Sequence, residues 1–333
     1  MRYLHILYAF LLFSILASCG EASSVQSSKN EFEALDSLMK VNRFNGVIMI
    51  TERDSVIYEQ TYVNQKAVGG VLELGSRCVI GSLSKQLTAM MVIREVEAGR
   101  IQLTDTIGRY LPELTMPWKD SVTVEQLLRH THGIESLETP LVFRPGSEFS
   151  YSQLGYDLLS QILEHLSGQS FQELSTAFFR ERGLTETFHS ADSIVSGVVS
   201  GYEDGEVRQD RFSNYTAAGG FISTARDVSR WTYMLHHGEL CSTSSLEEVR
   251  SYVTLREHPI LGRVDYGLGI FRPERYPGFE GAFGYSPGFI SSCFYDSARD
   301  RVIVVMTNDV RGVDLVEKFS AVEGVLAYLH KKL

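Results

Sequence analysis

The sequence predicts an α+β fold in which an antiparallel sheet is flanked by helices and a mainly helical domain is inserted into the sheet domain. Strand patterns occur near both ends of the chain, and helical patterns dominate the stretch between them. Strands that are segregated from helices along a chain fit an α+β sheet better than a parallel, doubly wound sheet. The 333 residues, 44% of them hydrophobic, suffice to bury a sizeable core in one large or two ordinary domains.

The individual elements follow from the spacing of apolar residues. Apolar side chains three or four residues apart predict helices, and short apolar or alternating runs predict strands. The predicted helices are residues 31–40, 82–97, 124–129, 154–166 and 313–329. The predicted strands are residues 46–50, 55–58, 266–271, 288–295 and 301–307. Gly99 and Gly168 follow two of the helices and are expected to end them, as glycine commonly does.

The order of these elements predicts the domain boundaries. Residues 31–102 and 210–333 are expected to form the sheet domain, and residues 103–209 the mainly helical domain. Residues 1–18 and 19–30 precede them as a signal peptide and a serine-rich tether.

The leader is predicted to be that of a lipoprotein. Its apolar run, from Ile6 to Ala17, is shorter than the roughly 20 residues that a membrane-spanning helix needs. The run ends in Leu16-Ala17-Ser18-Cys19, which resembles a bacterial lipoprotein signal, in which cleavage before the cysteine frees it for lipid attachment. An ordinary secretory signal is the alternative. We therefore expect a chain held in the bacterial cell envelope, facing the periplasm or at the outer membrane, by lipid on Cys19.

Charge and motif content limit the expected partners. Lys and Arg number 31 against 41 Asp and Glu, which gives a net charge of −10 at pH 7. Such a surface repels a phosphate backbone, so nucleic acid is not an expected partner. No glycine-rich phosphate loop or cluster with metal-ligand spacing occurs, so no cofactor or metal is expected. The expected partners are a small-molecule or peptide substrate and a membrane, the latter through the lipid anchor only.

Three cysteines remain beyond Cys19, namely Cys78, Cys241 and Cys293. An odd number cannot pair fully within one chain. They are expected either as buried free thiols, since cysteine packs as a small hydrophobe, or as one disulfide and one free thiol.

Two Ser-x-x-Lys motifs are candidates for a nucleophile and its base. Ser37–Lys40 lies inside an amphipathic helix, where the hydroxyl is one more solvated group. Ser82 follows a glycine and opens a helix, so its N–H is an unpaired donor of the first turn and the helix dipole is directed at its Oγ. Lys85 shares a face with Ser82, and burial would lower its pKa from about 10.4 to where it accepts the serine proton. A plain N-cap serine is the alternative.

Five segments together are similar to the serine β-lactamase and penicillin-binding superfamily, in its class C-like branch, and they occur in the expected order. They are Ile80–Ala89, Leu127–Gly133, Pro145–Ser152, Ala218–Ala225 and Tyr266–Gly269. The resemblance covers the chain from about Gly46 to Asp309 and implies a β-lactamase/transpeptidase-like fold and a serine hydrolase.

The resemblance also implies roles for further residues. Tyr151 begins what looks like the Tyr-x-Asn motif of the superfamily, whose tyrosine exchanges protons with the serine and the leaving group. Gln153 replaces the asparagine, and its longer amide can still bind a substrate carbonyl. The backbone N–H groups of Ser82 and Tyr285 would form an oxyanion hole, in which one donor is typically worth about 10²–10³ in rate. Gly284, just before Tyr285, is expected at the substrate.

One departure concerns the third motif of the superfamily, which normally begins with Lys or His. It aligns here with Ala282-Phe283-Gly284. Ala282 supplies no cation, which argues against recognition of a substrate carboxylate there and against classical β-lactam hydrolysis.

Two competing patterns are set aside on physical grounds. The segment Gly284-Tyr285-Ser286-Pro287-Gly288 fits the Gly-x-Ser-x-Gly elbow, but that elbow needs the N–H after the serine and Pro287 has none. A tight turn is expected instead. The side chains of His130 and His132, on alternate residues, do not converge on a metal, so a structural hydrogen-bonding role is expected for them.

The sequence therefore predicts a lipid-anchored serine hydrolase that forms an acyl-enzyme with an ester or amide, as an esterase, D-peptidase or β-lactamase-like enzyme. Ser82 is the expected nucleophile, and Lys85 and Tyr151 are the expected base and proton shuttle. The alternative is a catalytically degenerate, penicillin-binding-like protein of the cell envelope that binds ligands without turnover, a possibility raised by Gln153 and Ala282.

Overall fold

The computed structural model describes residues 31–64, 70–192, 197–208 and 216–332. The predicted signal peptide, the lipid-attached Cys19 and the tether all lie outside these residues. The chain divides into two compact units, Met1–Arg43 and Phe44–Leu333. The described part of the first unit is a helix over residues 31–41, α1, which confirms the helix predicted there.

The second unit is built around an eight-stranded sheet. The strands of the unit are β1 (Gly46–Glu52), β2 (Ser55–Tyr62), β3 (Cys78–Val79), β4 (Phe188–His189), β5 (Gly201–Glu203), β6 (Glu206–Arg208), β7 (Phe221–Ser223), β8 (Thr254–His258), β9 (Gly262–Tyr266), β10 (Phe271–Pro273), β11 (Phe279–Ser286), β12 (Phe289–Asp296), β13 (Arg301–Thr307) and β14 (Asp309–Val310). The large sheet has the order β2-β1-β13-β12-β11-β10-β9-β8, with every neighbouring pair antiparallel. Strands from both ends of the chain thus share one antiparallel sheet, as predicted.

The helices of the second unit are α2 (Ser84–Glu97), α3 (Val124–Leu128), α4 (Leu154–Ser167), α5 (Phe171–Glu181), α6 (Ala225–His236), α7 (Thr243–Val249), α8 (Leu315–Lys318) and α9 (Ser320–His330). Helix α6 packs on β1, β12 and β13. Ring contacts of Phe283 with Phe319 and of Phe279 with His330 attach the C-terminal segment to β11. The inner strands β12 and β13 are buried along their whole length, which explains the uninterrupted apolar run of β13 from Val302 to Met306.

The predicted helical segment, residues 103–209, contains α3, α4 and α5 together with short strands. The strands β4, β5 and β6 belong to two three-stranded sheets that include other parts of the chain, in the orders β3-β7-β4 and β14-β5-β6. The boundaries proposed for a separate helical domain stay a prediction.

The strand predicted over residues 266–271 is wrong. The segment is the turn between β9 and β10, because Gly269 adopts a positive φ of 79° that other residues rarely take. A Cβ on Gly267 would also lie 2.3 Å from the Val249 carbonyl oxygen. Strand β8 was not predicted, because its side chains are exposed or half-buried and form no continuous apolar run.

Two further predictions concern cysteines and membranes. Cys78, Cys241 and Cys293 are buried free thiols, the first of the two arrangements expected. Among the described residues, no helix combines the length and apolarity needed to cross a membrane.

Candidate active site

Ser82 lies in a 3-10 turn, Gly81–Leu83, that leads directly into α2. The turn is preceded by Ile80, and no side chain caps it, so the N-cap alternative for Ser82 does not hold. As the second residue of the turn, Ser82 has a backbone N–H without a partner inside the turn or helix. Its hydroxyl and its N–H therefore remain for other groups.

The turn rests against the end of β11, and glycine makes this approach possible. Gly81 has a positive φ of 52°, and a Cβ there would lie 2.6 Å from the carbonyl oxygen of Tyr285. The Ser291 hydroxyl donates to the carbonyl oxygen of Ile80 at 2.6 Å and ties the turn to the sheet. The backbone groups of Ser82 and Tyr285 are thereby held next to each other. Gly284 packs against the carbonyl group of Ile80, and its place at the substrate stays a prediction.

Lys85 lies on the first turn of α2 and is 1% exposed. Its Nζ is 2.6 Å from Gln153 Oε1, 2.7 Å from the carbonyl oxygen of Ala218 and 3.4 Å from Ser82 Oγ. An ammonium group can donate to all three. A neutral amine keeps two N–H donors for the two short contacts and directs its lone pair at Ser82, so the same geometry suits a proton acceptor.

The carbonyl group of Ala218 belongs to a π-helical turn, Thr216–Gly220, which is held by α2. Thr88 Oγ1 donates to the Ala217 carbonyl at 2.8 Å, and Ser84 Oγ accepts the Phe221 N–H at 3.1 Å. The contact of Ala218 with Lys85 was not predicted, because a main-chain acceptor leaves no side-chain signal beyond the Ala-Gly-Gly segment itself.

Tyr151 completes the arrangement and is 37% exposed. Its ring centroid is 4.6 Å from Lys85 Nζ, so the phenol lies beside the amine that also contacts Ser82 Oγ. Burial lowers the pKa of Lys85, and the Tyr151 phenolate only partly offsets this. Loss of hydration around its hydroxyl raises the pKa of Tyr151, but the positive charge of Lys85 and the adjacent Ser82 hydroxyl outweigh this effect, so the Tyr151 pKa is lowered. The two groups titrate as a pair that exchanges one proton.

His130 supports Tyr151 from a buried position. Its Nδ1 accepts the Ser152 N–H at 3.1 Å, and burial holds its pKa well below the usual range. Because Nδ1 is an acceptor, the neutral imidazole carries its proton on Nε2. This Nε2–H donates to the Tyr266 hydroxyl at 3.2 Å. The His130 and Tyr151 ring centroids are 4.5 Å apart. The structural role expected for this histidine is therefore confirmed.

The other histidine of this segment, His132, also makes a structural hydrogen bond. His132 Nδ1 accepts the Ile134 N–H at 2.9 Å. No group of three or more His, Cys, Asp or Glu side chains in the described ranges is arranged to hold a metal ion.

Ser37 and Ser286, the serines of the two competing motifs, lie in surroundings that differ from those of Ser82. Ser37 Oγ is exposed on α1 and donates to the carbonyl oxygen of Glu33. Ser286 is buried at the end of β11, and its Oγ has no hydrogen-bond partner among the described residues.

A cleft of about 250 Å³ opens beside these groups. Ser82, Tyr151, Gln153, Ala282 and Tyr285 line it. Apolar side chains form much of the remaining wall, namely Pro259, Ile260, Phe271, Phe283, Leu315 and Phe319. Arg256, on β8, also lines the cleft, and nothing in the sequence analysis pointed to it. The arrangement can activate a hydroxyl beside a cleft that accepts a small, partly apolar molecule.

The chain is similar in sequence to known proteins over most of its length. The family model described as Beta-lactamase matches residues 33–325. Penicillin-binding protein 4* of Bacillus subtilis is 24% identical over 291 residues, and the match covers 73% of this chain and 63% of that relative. The chain thus spans less than two thirds of the length of that relative.

Solved structures share the fold. The D-amino acid amidase of Ochrobactrum anthropi SV3 superposes with a TM-score of 0.78 at 19% identity, covering 92% of this chain and 99% of that one. A D-stereospecific amidohydrolase from a Streptomyces species gives a TM-score of 0.66 at 22% identity, covering 79% and 89%. The predicted β-lactamase/transpeptidase-like fold is confirmed.

Proposed function

Because the chain belongs to the Beta-lactamase family, we propose that it is a serine hydrolase that forms an acyl-enzyme on Ser82. One observation carries the proposal. The buried Nζ of Lys85 lies 3.4 Å from Ser82 Oγ, with its two shorter contacts made to fixed acceptors. An amine held in this way, with its pKa lowered by burial, can accept the proton of an adjacent hydroxyl.

The reaction proceeds in two halves. Ser82 Oγ bonds to the substrate carbonyl carbon as its proton passes to the Lys85–Tyr151 pair. The N–H groups of Ser82 and Tyr285 stabilise the resulting oxyanion. The bond to the leaving oxygen or nitrogen then breaks, and Tyr151 gives that atom the proton. Water next attacks the acyl-enzyme and gives a proton to the same pair, and the acid is released as Ser82 regains its hydrogen.

The proposed substrate is an ester or an amide. The amidase and the amidohydrolase of similar fold act, by their names, on D-configured compounds, so amides of D-amino acids belong in the first substrate screen. No metal or cofactor takes part in the proposed reaction.

Labelling with a fluorophosphonate probe tests the proposal. We expect one covalent adduct, located on Ser82 by mass spectrometry and absent from Ser82→Ala. Ser286→Ala is the matched control, because it removes the serine of the rival motif, and it should label like the wild type. Labelling that persists in Ser82→Ala overturns the assignment. A wild type that takes up no label and hydrolyses no ester would contradict the hydrolase and favour the ligand-binding alternative raised by Gln153 and Ala282.

The proposal includes attachment to a membrane by lipid on Cys19. The motif Leu16-Ala17-Ser18-Cys19 supports it. Radiolabelled palmitate fed to the expressing bacterium should be incorporated into the wild type and into Cys78→Ala, but not into Cys19→Ala. Incorporation into Cys19→Ala contradicts the anchor.

A further inference from the structure

Arg256 is the one cationic side chain among the described residues that line the cleft. It extends from β8, and its guanidinium carbon is 4.8 Å from the ring centroid of Tyr151 and 5.4 Å from that of Phe149. Both rings therefore lie beside the guanidinium group. A ring face attracts the positive charge but supplies no oxygen or nitrogen acceptor to the five N–H donors.

The donors of Arg256 have no partner within the described residues. No Asp or Glu oxygen of those residues lies within 4.0 Å of the guanidinium nitrogens, and no hydrogen bond to a described acceptor is formed. Most other arginines of the structure have such partners, as Arg129 does with Glu125 at 2.7 Å. A guanidinium group held by two rings and left without an acceptor is prepared to bind an anion from outside.

The rest of the cleft wall is consistent with such a ligand. The described lining residues include no Asp or Glu, although the whole chain carries a net charge of −10. Six apolar side chains face the same space. The cleft therefore suits a molecule that combines an apolar group with a negative charge. Ala282, at the family's usual cation position, is itself part of this wall.

We propose that Arg256 binds a carboxylate of the substrate and so determines specificity, which makes the substrate an ester or amide with an anionic leaving group beside an apolar acyl group. This inference rests on the proposed function. The carboxylate belongs to the leaving group because the Arg256 guanidinium lies over the ring of Tyr151, the residue that returns the proton to that group. The cation missing at Ala282 is thus supplied from a different strand.

A matched pair of esters tests the proposal. The compounds are 3-carboxyphenyl phenylacetate and 3-carbamoylphenyl phenylacetate, which differ only in the charge on the leaving group. The measured quantity is the ratio of kcat/KM for the acid ester to that for the amide ester. We expect the wild type to prefer the acid ester and Arg256→Gln to reduce the ratio about 10- to 100-fold, the range for a hydrogen bond to a charged group.

The control variant is Arg263→Gln. Arg263 lies on the neighbouring strand β9, and its side chain pairs with Glu274 at 3.8 Å outside the cleft. The Arg263→Gln variant should retain the wild-type ratio of kcat/KM for the two esters. A ratio that Arg256→Gln leaves unchanged overturns the proposal, because Arg256 then acts on both esters alike through Tyr151.

A binding measurement separates this proposal from the hydrolase assignment. Calorimetry with 3-hydroxybenzoate and 3-hydroxybenzamide needs no turnover. Preference of the wild type for the benzoate, lost in Arg256→Gln, supports the anion site even if neither ester is hydrolysed in a Ser82-dependent way. Equal binding of both compounds by both proteins refutes the site, whatever the activity.

Discussion

Gly284 lies so close to Ile80 that a Cβ on residue 284 would be 1.9 Å from the Ile80 carbonyl oxygen. The contact is between the main chain of Gly284 and the main chain of Ile80. Neither can move without shifting β11 or the Gly81–Leu83 turn. The contact fixes the distance between the turn that carries Ser82 and the strand that carries Tyr285. A glycine at 284 is therefore a requirement of the proposed oxyanion hole.

The substitution Gly284→Ala should separate the two oxyanion donors. We expect kcat/KM on an ester substrate to fall about 10²–10³-fold, the typical cost of losing one donor. Overpacking should also lower the free energy of unfolding by about 1–3 kcal/mol. Gly75→Ala is the control, since a Cβ there meets nothing within 4 Å. Wild-type kinetics in Gly284→Ala would show that the hole is formed elsewhere.

Replacing Lys85 by methionine should abolish acylation. Methionine has a similar shape but no lone pair that can accept the Ser82 proton. It also leaves the acceptors of Gln153 and Ala218 unpaired, which should cost about 1–3 kcal/mol of stability. Fluorophosphonate labelling checks the first effect and urea unfolding the second. Lys40→Met removes the lysine of the other Ser-x-x-Lys motif and should label normally. A Lys85→Met protein that labels at the wild-type rate excludes Lys85 as the base.

The sheet and most helices were predictable because their signals are local. Strand β13 is fully buried and reads as an uninterrupted apolar run, so its bounds, Arg301–Thr307, match the prediction. Gly168 ends α4 with a left-handed φ of 68°, as its position after the apolar pattern indicated. The strand predicted at 266–271 failed because close packing of Gly267 against the Val249 carbonyl is a long-range constraint.

The residues of the candidate site that lie in local motifs were also predictable, and those that depend on long-range packing were not. Ser82, Lys85 and Tyr151 were found because their side chains lie in short motifs, and the structure brings all three together. The Ala218 carbonyl and Arg256 were missed. The first is main chain, and the second lies on β8, a strand whose position beside Tyr151 depends on pairing with residues 262–266.

Tyr151→Phe should change the pH profile as well as the rate. Burial lowers the pKa of Lys85, and the Tyr151 phenolate raises it. Without that phenolate, the Lys85 pKa should fall further, so the acid limb of kcat/KM should move to lower pH. Loss of the proton shuttle should reduce kcat about 10²–10⁴-fold. The measurement is kcat/KM on a neutral ester between pH 5 and pH 10, roughly the span in which such groups titrate.

The matched control for that experiment is Tyr295→Phe. Tyr295 lies on β12, and its hydroxyl donates to Asp300 Oδ1, in the turn after that strand, at 3.0 Å. Loss of the Tyr295 hydroxyl should therefore leave the pH profile of kcat/KM unchanged. An acid limb that moves to higher pH in Tyr151→Phe would mean that the phenol does not stabilise the lysine charge.

Glu280 should make stability depend on acid pH independently of the cleft. Its carboxylate is 2.7 Å from Arg250 and 3.1 Å from His236, and it accepts a hydrogen bond from Tyr252. Burial raises the pKa of Glu280, but the bond and charge of His236, the Tyr252 bond and the Arg250 charge lower it to about 2. A depressed carboxyl pKa contributes stability above its unfolded value, near 4.3, and loses it as the pH falls towards 2.

Urea unfolding at a series of pH values between about 7 and 2 measures this contribution. The wild type should lose on the order of 2–3 kcal/mol through Glu280 as the pH falls from about 4.5 to 2. Glu280→Gln should be less stable at neutral pH and should show a flatter decline in that window. Glu274→Gln, which removes an exposed partner of Arg263, should follow the wild-type curve because exposed pairs contribute little. Equal slopes for Glu280→Gln and the wild type would mean that the carboxylate is no better stabilised in the folded chain than in the unfolded one.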